Sequence, residues 1–154
     1  MTILDVPVLV QPSDHECGNT CLAAVAAYFG KPFSISDTKR LARTTEAGTD
    51  HAPMIEAARA MGATVHAAAG GTLEEVAGFI ARGLPVIVGW WTSEGDHFSV
   101  ITGVTANRIV MMDPEAGRVE LDRATFEAAW HDTDTEAHVR VDRWYLVLDY
   151  APPR

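Results

Sequence analysis

Residues 11–30 read QPSDHECGNTCLAAVAAYFG, and the change of character inside them decides how the chain is read. The first part, QPSDHECGN, is made of turn and cap residues. From Asn19 onward, TCLAAVAAYFG consists of strong helix formers and is apolar on nearly every face, which predicts a buried, central helix. Gly30, with Pro32 two residues later, supplies its C-terminal stop. The two cysteines of the chain, Cys17 and Cys21, stand one helical turn apart and share one helix face. A disulfide at that spacing inside a helix is geometrically unfavourable and would close too small a loop to stabilise much. The pair is therefore no sign of an oxidising compartment. Each thiol is either a working group or a small buried hydrophobe, and composition does not choose between them.

Working outward, ILDVPVLV before this stretch suits a short strand or an extended arm, limited by Pro7 to an edge. After it, SISDTKRLART predicts a helix opened by a Ser or Asp cap. APMIEAARAMG predicts another, with Pro53 in its first turn and Gly62 ending it. A short strand, ATVHAAA, precedes the amphipathic helix TLEEVAGFIARG, where Thr72 and Glu75 form a capping box. The character then changes. LPVIVGWW, HFSVITGVT, NRIVMMD, RVELD and RWYLVLDY are short Val-, Ile- and aromatic-rich segments broken by Gly, Asn, Asp and Pro, and they read as an antiparallel sheet. One helix, RATFEAAWH, interrupts them. Helices first and strands second is the α+β pattern, with two layers meeting at one core. No repeat, low-complexity tract or linker divides residues 1–154, which are read as a single domain.

Composition narrows the function classes. The chain has 154 residues, enough to bury roughly two-thirds of its unfolded surface. Its hydrophobic fraction of 47% and charged fraction of 21% are those of an ordinary globular protein. A formal net charge of −9 argues against nucleic acid as partner, because phosphate neutralisation needs clustered Lys and Arg. No segment approaches the ~20 apolar residues that span a bilayer, so no membrane insertion is expected. The start, MTILDVPVLVQPSD, has neither a basic region nor a long apolar core, so it does not read as a secretory signal. A cytoplasmic location follows, with secretion by a signal-less route as the alternative.

Cysteine chemistry needs a thiolate, and a free cysteine with a pKa near ~8.5 is mostly protonated at neutral pH. A helix N-terminus and a nearby imidazolium are the usual remedies. Cys17 stands where the polar loop gives way to the helix, with Gly18 beside it allowing close backbone approach. Cys21, one turn deeper, reads as structural. Of the six histidines, His97 opens the apolar run HFSVITGV directly after the polar loop TSEGD, placed to aim its ring into a cleft. His15 is too near Cys17 in sequence to turn towards it, and His51, His66, His131 and His138 read as surface. Asp113 ends RIVMMD before Pro114. If HFSVITGV and RIVMMD are hairpin neighbours, Asp113 falls beside His97, where a carboxylate fixes the imidazole tautomer. Gln11 offers a side-chain amide to a developing oxyanion alongside the Cys17 backbone N–H. Trp90 and Trp91 wall the cleft or fill the core.

At these residues the sequence resembles the bacteriocin-processing cysteine peptidases, the double-glycine leader peptidases at the N-terminus of peptide-exporting ABC transporters. Gln11, Cys17, Gly18, Cys21, Leu22, Tyr28 and Gly30 fall in register with that family's opening motif. LPVIVGWW followed by DHFSVITGV is similar to its strand leading to the catalytic His, and IVMMDPEAG to its Asp-Pro-x-x-Gly. FEAAW is similar to its helix ending in Trp. The likeness runs from about Val8 to Trp130. It implies a papain-like fold, a central nucleophile helix packed on a C-terminal antiparallel sheet. It also implies a site of Cys17 as nucleophile, His97 as general base and acid, Asp113 as orienting group and Gln11 as oxyanion donor, with no cofactor and no metal. A peptide or protein substrate is implied, with a cognate exporter or an immunity protein as further partner. Glu16 stands where the transporter peptidases most often have Asp. The 154 residues carry no membrane domain or ATPase, so the resemblance is to a stand-alone member.

Other readings use the same residues. A papain-like toxin or effector protease, or a transamidase, would employ the same triad with a different substrate or acyl acceptor. An inactive relative would bind peptides without cutting them. A zinc site from His15, Cys17 and Cys21 with His51 or His97 is a different class, but H-x-C-x-x-x-C is not a usual zinc spacing and no second paired cluster exists.

Overall fold

The computed structural model describes residues 2–134 and 137–150. The N-terminal arm is extended and tied to the sheet by an Ile3–Gly103 bridge and a hydrogen bond from Leu4 N–H to Thr102 O (2.8 Å). Three helices follow: α1 (Cys17–Tyr28), α2 (Ile35–Leu41) and α3 (His51–Ala60). Then come β1 (Thr64–Ala68), α4 (Leu73–Ala81), β2 (Val86–Thr92), β3 (Gly95–Val104), β4 (Arg108–Asp113), β5 (Gly117–Asp122) and α5 (Arg123–Ala129). The described chain closes with β6 (His131–Asp134), β7 (Val139–Asp142) and β8 (Tyr145–Asp149).

The local signals explain these bounds. α1 begins at Cys17, two residues before the expected start, because Gly18 and Asn19 take helical geometry once buried. It stops at Gly30, whose φ of 71° favours glycine. α2 opens on a complete capping box between Ser34 and Asp37. α4 has only half of one. Thr72 accepts from the Glu75 N–H, but the Glu75 carboxylate turns to the hydroxyls of Thr72 and Tyr145 instead of reaching back to the Thr72 backbone. A tertiary partner has taken the carboxylate.

The sheet runs β1-β8-β2-β3-β4-β5, antiparallel throughout, and β6 and β7 form a separate two-stranded ribbon. The ribbon lies in a segment the sequence reading left without strands. The fold is α+β, with α1 packed on the antiparallel sheet. The layering exceeds the expected two. Ile87, Phe98, Val100, Met112, Leu146 and Leu148 face α1 and α3 in one core. The alternate residues Val86, Val88, Ile101, Met111 and Val147 face α4 and α5 in a second. A sheet covered on both faces needs strands apolar at every position, which is how β2, β4 and β8 read.

Candidate active site

The site forms where the first turn of α1 meets the ends of β3 and β4. Cys17 is the first residue of α1, so its backbone N–H has no intrahelical acceptor and its side chain sits at the positive end of the helix. Glu16, at the cap position, does not cap with its side chain. Its buried carboxylate accepts from Ser13 Oγ (2.6 Å) and Asn19 Nδ2 (3.3 Å), with Lys39 Nζ at 3.8 Å, which holds the carboxyl below its ordinary range. The N-terminal N–H groups beside Cys17 therefore remain available to a ligand. Gly18 is closely packed: a Cβ there would lie 3.1 Å from both Met54 Sδ and Phe98 Cδ2, which would have to give by a few tenths of an ångström. Cys21 is fully buried one turn deeper, and burial, with Cys17 and Asp113 nearby, pushes its thiol well up.

His97, 8% exposed, is hydrogen-bonded through Nε2 to Asp113 Oδ1. That leaves Nδ1 to face Cys17, which lines the same cleft and whose proximity favours the charged ring. Burial works against a charged ring here. The hydrogen bonds and charges of Asp113 and Cys17 outweigh it and raise the pKa to about 10. Asp113 moves the other way. Burial would raise it, but His97, the Ala116 N–H (3.0 Å to Oδ2) and Ser99 Oγ (3.0 Å to Oδ1) hold it below its ordinary range. A further bond, Trp90 Nε1 to Ser99 Oγ at 3.0 Å, anchors this chain of donors to β2.

Gln11 lies on the loop before α1, pinned by a hydrogen bond from its backbone N–H to Pro114 O (2.8 Å). Its Nε2 gives one hydrogen to Ser13 O (2.7 Å) and keeps the other, while the buried Oε1 has no partner among the described residues. The structure thus brings Cys17, His97 and Asp113 together, with His97 hydrogen-bonded to Asp113 and lining one cleft with Cys17. Gln11 is tied by its backbone to the residue after Asp113. Among the described residues, no group of three or more His, Cys, Asp or Glu side chains is arranged to hold a metal ion.

A cleft of about 250 Å³ opens beside Cys17 and His97. Its wall contains Asp132, one of a pair that sequence reading missed. His51, expected at the surface, is buried at the start of α3 and bonded through Nε2 to Asp132 Oδ2 at 2.6 Å. The ring stacks on Trp144 (centroids 4.1 Å apart, 7° between planes). Nothing in HDTD or TDHAP marks these two as partners, because they are brought together across 81 positions. Ser99 was not singled out either; its place two residues beyond His97, on the same face of a strand, was the one signal that pointed to it. The two tryptophans divide: Trp90 is half-buried against His97 and Phe126, whereas Trp91 is exposed and stacks on His131.

A thiol at a helix start, beside an imidazole oriented by a carboxylate between helices and an antiparallel sheet, defines the class of papain-like cysteine peptidases. Within that class the chain belongs to the peptidase C39 family, which residues 5–134 match. It is 32% identical over 118 residues to the probable microcin-H47 secretion/processing ATP-binding protein MchF of Escherichia coli. That match covers 77% of this chain and 16% of the relative, so the chain spans about a sixth of that protein's length. Among solved structures it resembles the peptidase domain of Streptococcus ComA, a bifunctional ABC transporter of a quorum-sensing pathway, with a TM-score of 0.76 and 19% identity. The match covers 94% of this chain and 99% of that one. It also resembles a double-glycine motif protease from an AMS/PCAT transporter, solved with its leader peptide (TM-score 0.73, 22% identity, 97% and 95% covered).

Proposed function

We propose that residues 1–154 form one peptidase domain in which Cys17 is the nucleophile, His97 the proton carrier, Asp113 its orienting group and Gln11 an oxyanion donor. The observation that carries this is the simultaneous engagement of His97 by the Cys17 thiol and the Asp113 carboxylate. The Cys17 thiolate attacks the scissile carbonyl carbon, and the oxyanion takes hydrogen bonds from the free Gln11 Nε2 hydrogen and the Cys17 N–H. As the C–N bond breaks, the His97 imidazolium passes its Nδ1 proton to the leaving amine, and a thioester remains on Cys17. Neutral His97 then accepts a proton from water. The hydroxide displaces the Cys17 thiolate, releasing the carboxylate product and restoring the ion pair. Asp113 keeps its charge throughout and holds Nε2–H.

The substrate we propose is a peptide bearing a double-glycine leader, cut after the glycines and handed to a peptide exporter on the cytoplasmic side of the membrane. Support comes from the secretion and processing role that the name of the Escherichia coli relative carries and from the leader peptide bound to the transporter protease. No helix among the described residues is long and apolar enough to cross a membrane. Incubation with iodoacetamide followed by peptide mapping tests the nucleophile: the adduct is expected on Cys17. Modification of Cys21 in preference would overturn the assignment.

A further inference from the structure

We propose that Asp132, held by His51, is a specificity-determining residue of this peptidase, and that the cleft takes a peptide with an arginine or lysine side chain beside the scissile bond. The inference rests on reading Cys17 and His97 as the reacting pair. The cleft that contains them is lined by four carboxylate side chains, Asp14, Glu46, Asp96 and Asp132, and by no lysine or arginine among the described residues. Beyond His97, a second depression is bordered by Glu94 and Glu115. Both approaches to the imidazole therefore carry negative potential, and low-dielectric walls concentrate it.

Acidic side chains on a surface would be an ordinary solvated face, but Asp132 is different. It is 3% exposed, its Oδ2 is committed to His51, and its buried Oδ1 has no hydrogen-bond partner among the described residues. A buried carboxylate oxygen without a donor is rare in native structures, and here it leaves unused acceptor capacity on a residue that lines the cleft. The surroundings are built to keep it there. His51 is clamped face-on by Trp144 and edge-on by Phe98, centroids 6.0 Å apart. Gly89 of β2 lies under the carboxylate, where a Cβ would come within 2.1 Å of Oδ2. Asp96 stands close enough for burial and the Asp132 charge to raise its pKa, a repulsion that an inserted cation would relieve. A guanidinium, with its fork of donors, suits two adjacent carboxylates better than any neutral side chain. The glycines of a leader carry no side chain, so the cationic residue is one that flanks them.

The test uses the wild-type chain and synthetic decapeptide pools centred on Gly-Gly, each with Arg, Lys, Gln, Glu or Leu fixed at one of three flanking positions on either side. Arg or Lys at one position is expected to raise kcat/KM about 10-fold or more over Gln. Replacing that arginine by citrulline, which keeps the shape and removes the charge, should abolish the gain. Asp132→Asn should bring the arginine-to-citrulline ratio to within about 3-fold of unity, the loss falling on the arginine peptide more than on the citrulline one. If D132N does not fold, Asp96→Asn carries the same comparison with a smaller expected loss. A wild-type ratio near one overturns the inference, and so does a folded D132N that slows both peptides equally. Cleavage of none of the pools overturns the reading of the site itself, and this inference with it.

Discussion

Cys17 and Cys21 are the same residue in different surroundings, and the difference decides their fates. One lies at the open end of a helix dipole against an imidazole, the other is sealed in the core where burial disfavours its anion. Cys17→Ala should abolish peptide cleavage and leave the melting temperature within a degree or two, whereas Cys21→Ala should keep turnover and cost about 1 kcal/mol in urea unfolding, roughly one buried heavy atom. Equal inactivation by both would contradict the roles. The His97 proton is held by Asp113 as well as Cys17, so Asp113→Asn should move the alkaline limb of kcat/KM from near 10 towards neutrality. A pH–rate profile of the two proteins reads this directly.

At the scale of elements, two small features stabilise the fold in different places. The Thr72 cap at the start of α4 is remote from the cleft, and Thr72→Ala should cost about 1 kcal/mol of stability without changing turnover. Gly89 is the opposite case. Its missing side chain lets β2 pass under the Asp132 carboxylate, and Gly89→Ala should cost about 1–3 kcal/mol by forcing that carboxylate and His51 apart. Denaturant melts of both variants, with turnover measured alongside, separate a lost cap from a displaced wall. α1 and α2 were readable from caps and stops because these depend on neighbours a few residues away. The β6–β7 ribbon was not, because HDTD and VRVD carry too few apolar residues to signal a strand and form one only against each other.

Over the whole molecule, the ion pair of His97 and Asp113 links folding to pH. The raised His97 pKa contributes stability in full below its ordinary 6.5, and that contribution fades as pH rises towards about 10. The depressed Asp113 pKa contributes above its ordinary 3.8 and is lost as pH falls through the lower folded value. Both are fully present between about 3.8 and 6.5. In chemical melts across pH, Asp113→Asn should flatten the difference between pH 6 and pH 10 that the wild type shows.

The local pattern by itself determined a buried helix from about Asn19 to its stop at Gly30, the order of helices before strands, and the nucleophile, imidazole and carboxylate candidates. Those features rest on short-range chemistry: caps, stops, alternation, and a cysteine at a helix start. Burial of the sheet on both faces was also present, in strands apolar at every position, although order alone suggested one core. Only the tertiary structure decided that Ser99 and Trp90 brace Asp113, and that His51 leaves the surface to bond Asp132 beside the cleft. Such contacts join residues on separate elements, and no spacing in one chain encodes which distant side chains the folded core will bring within 3 Å.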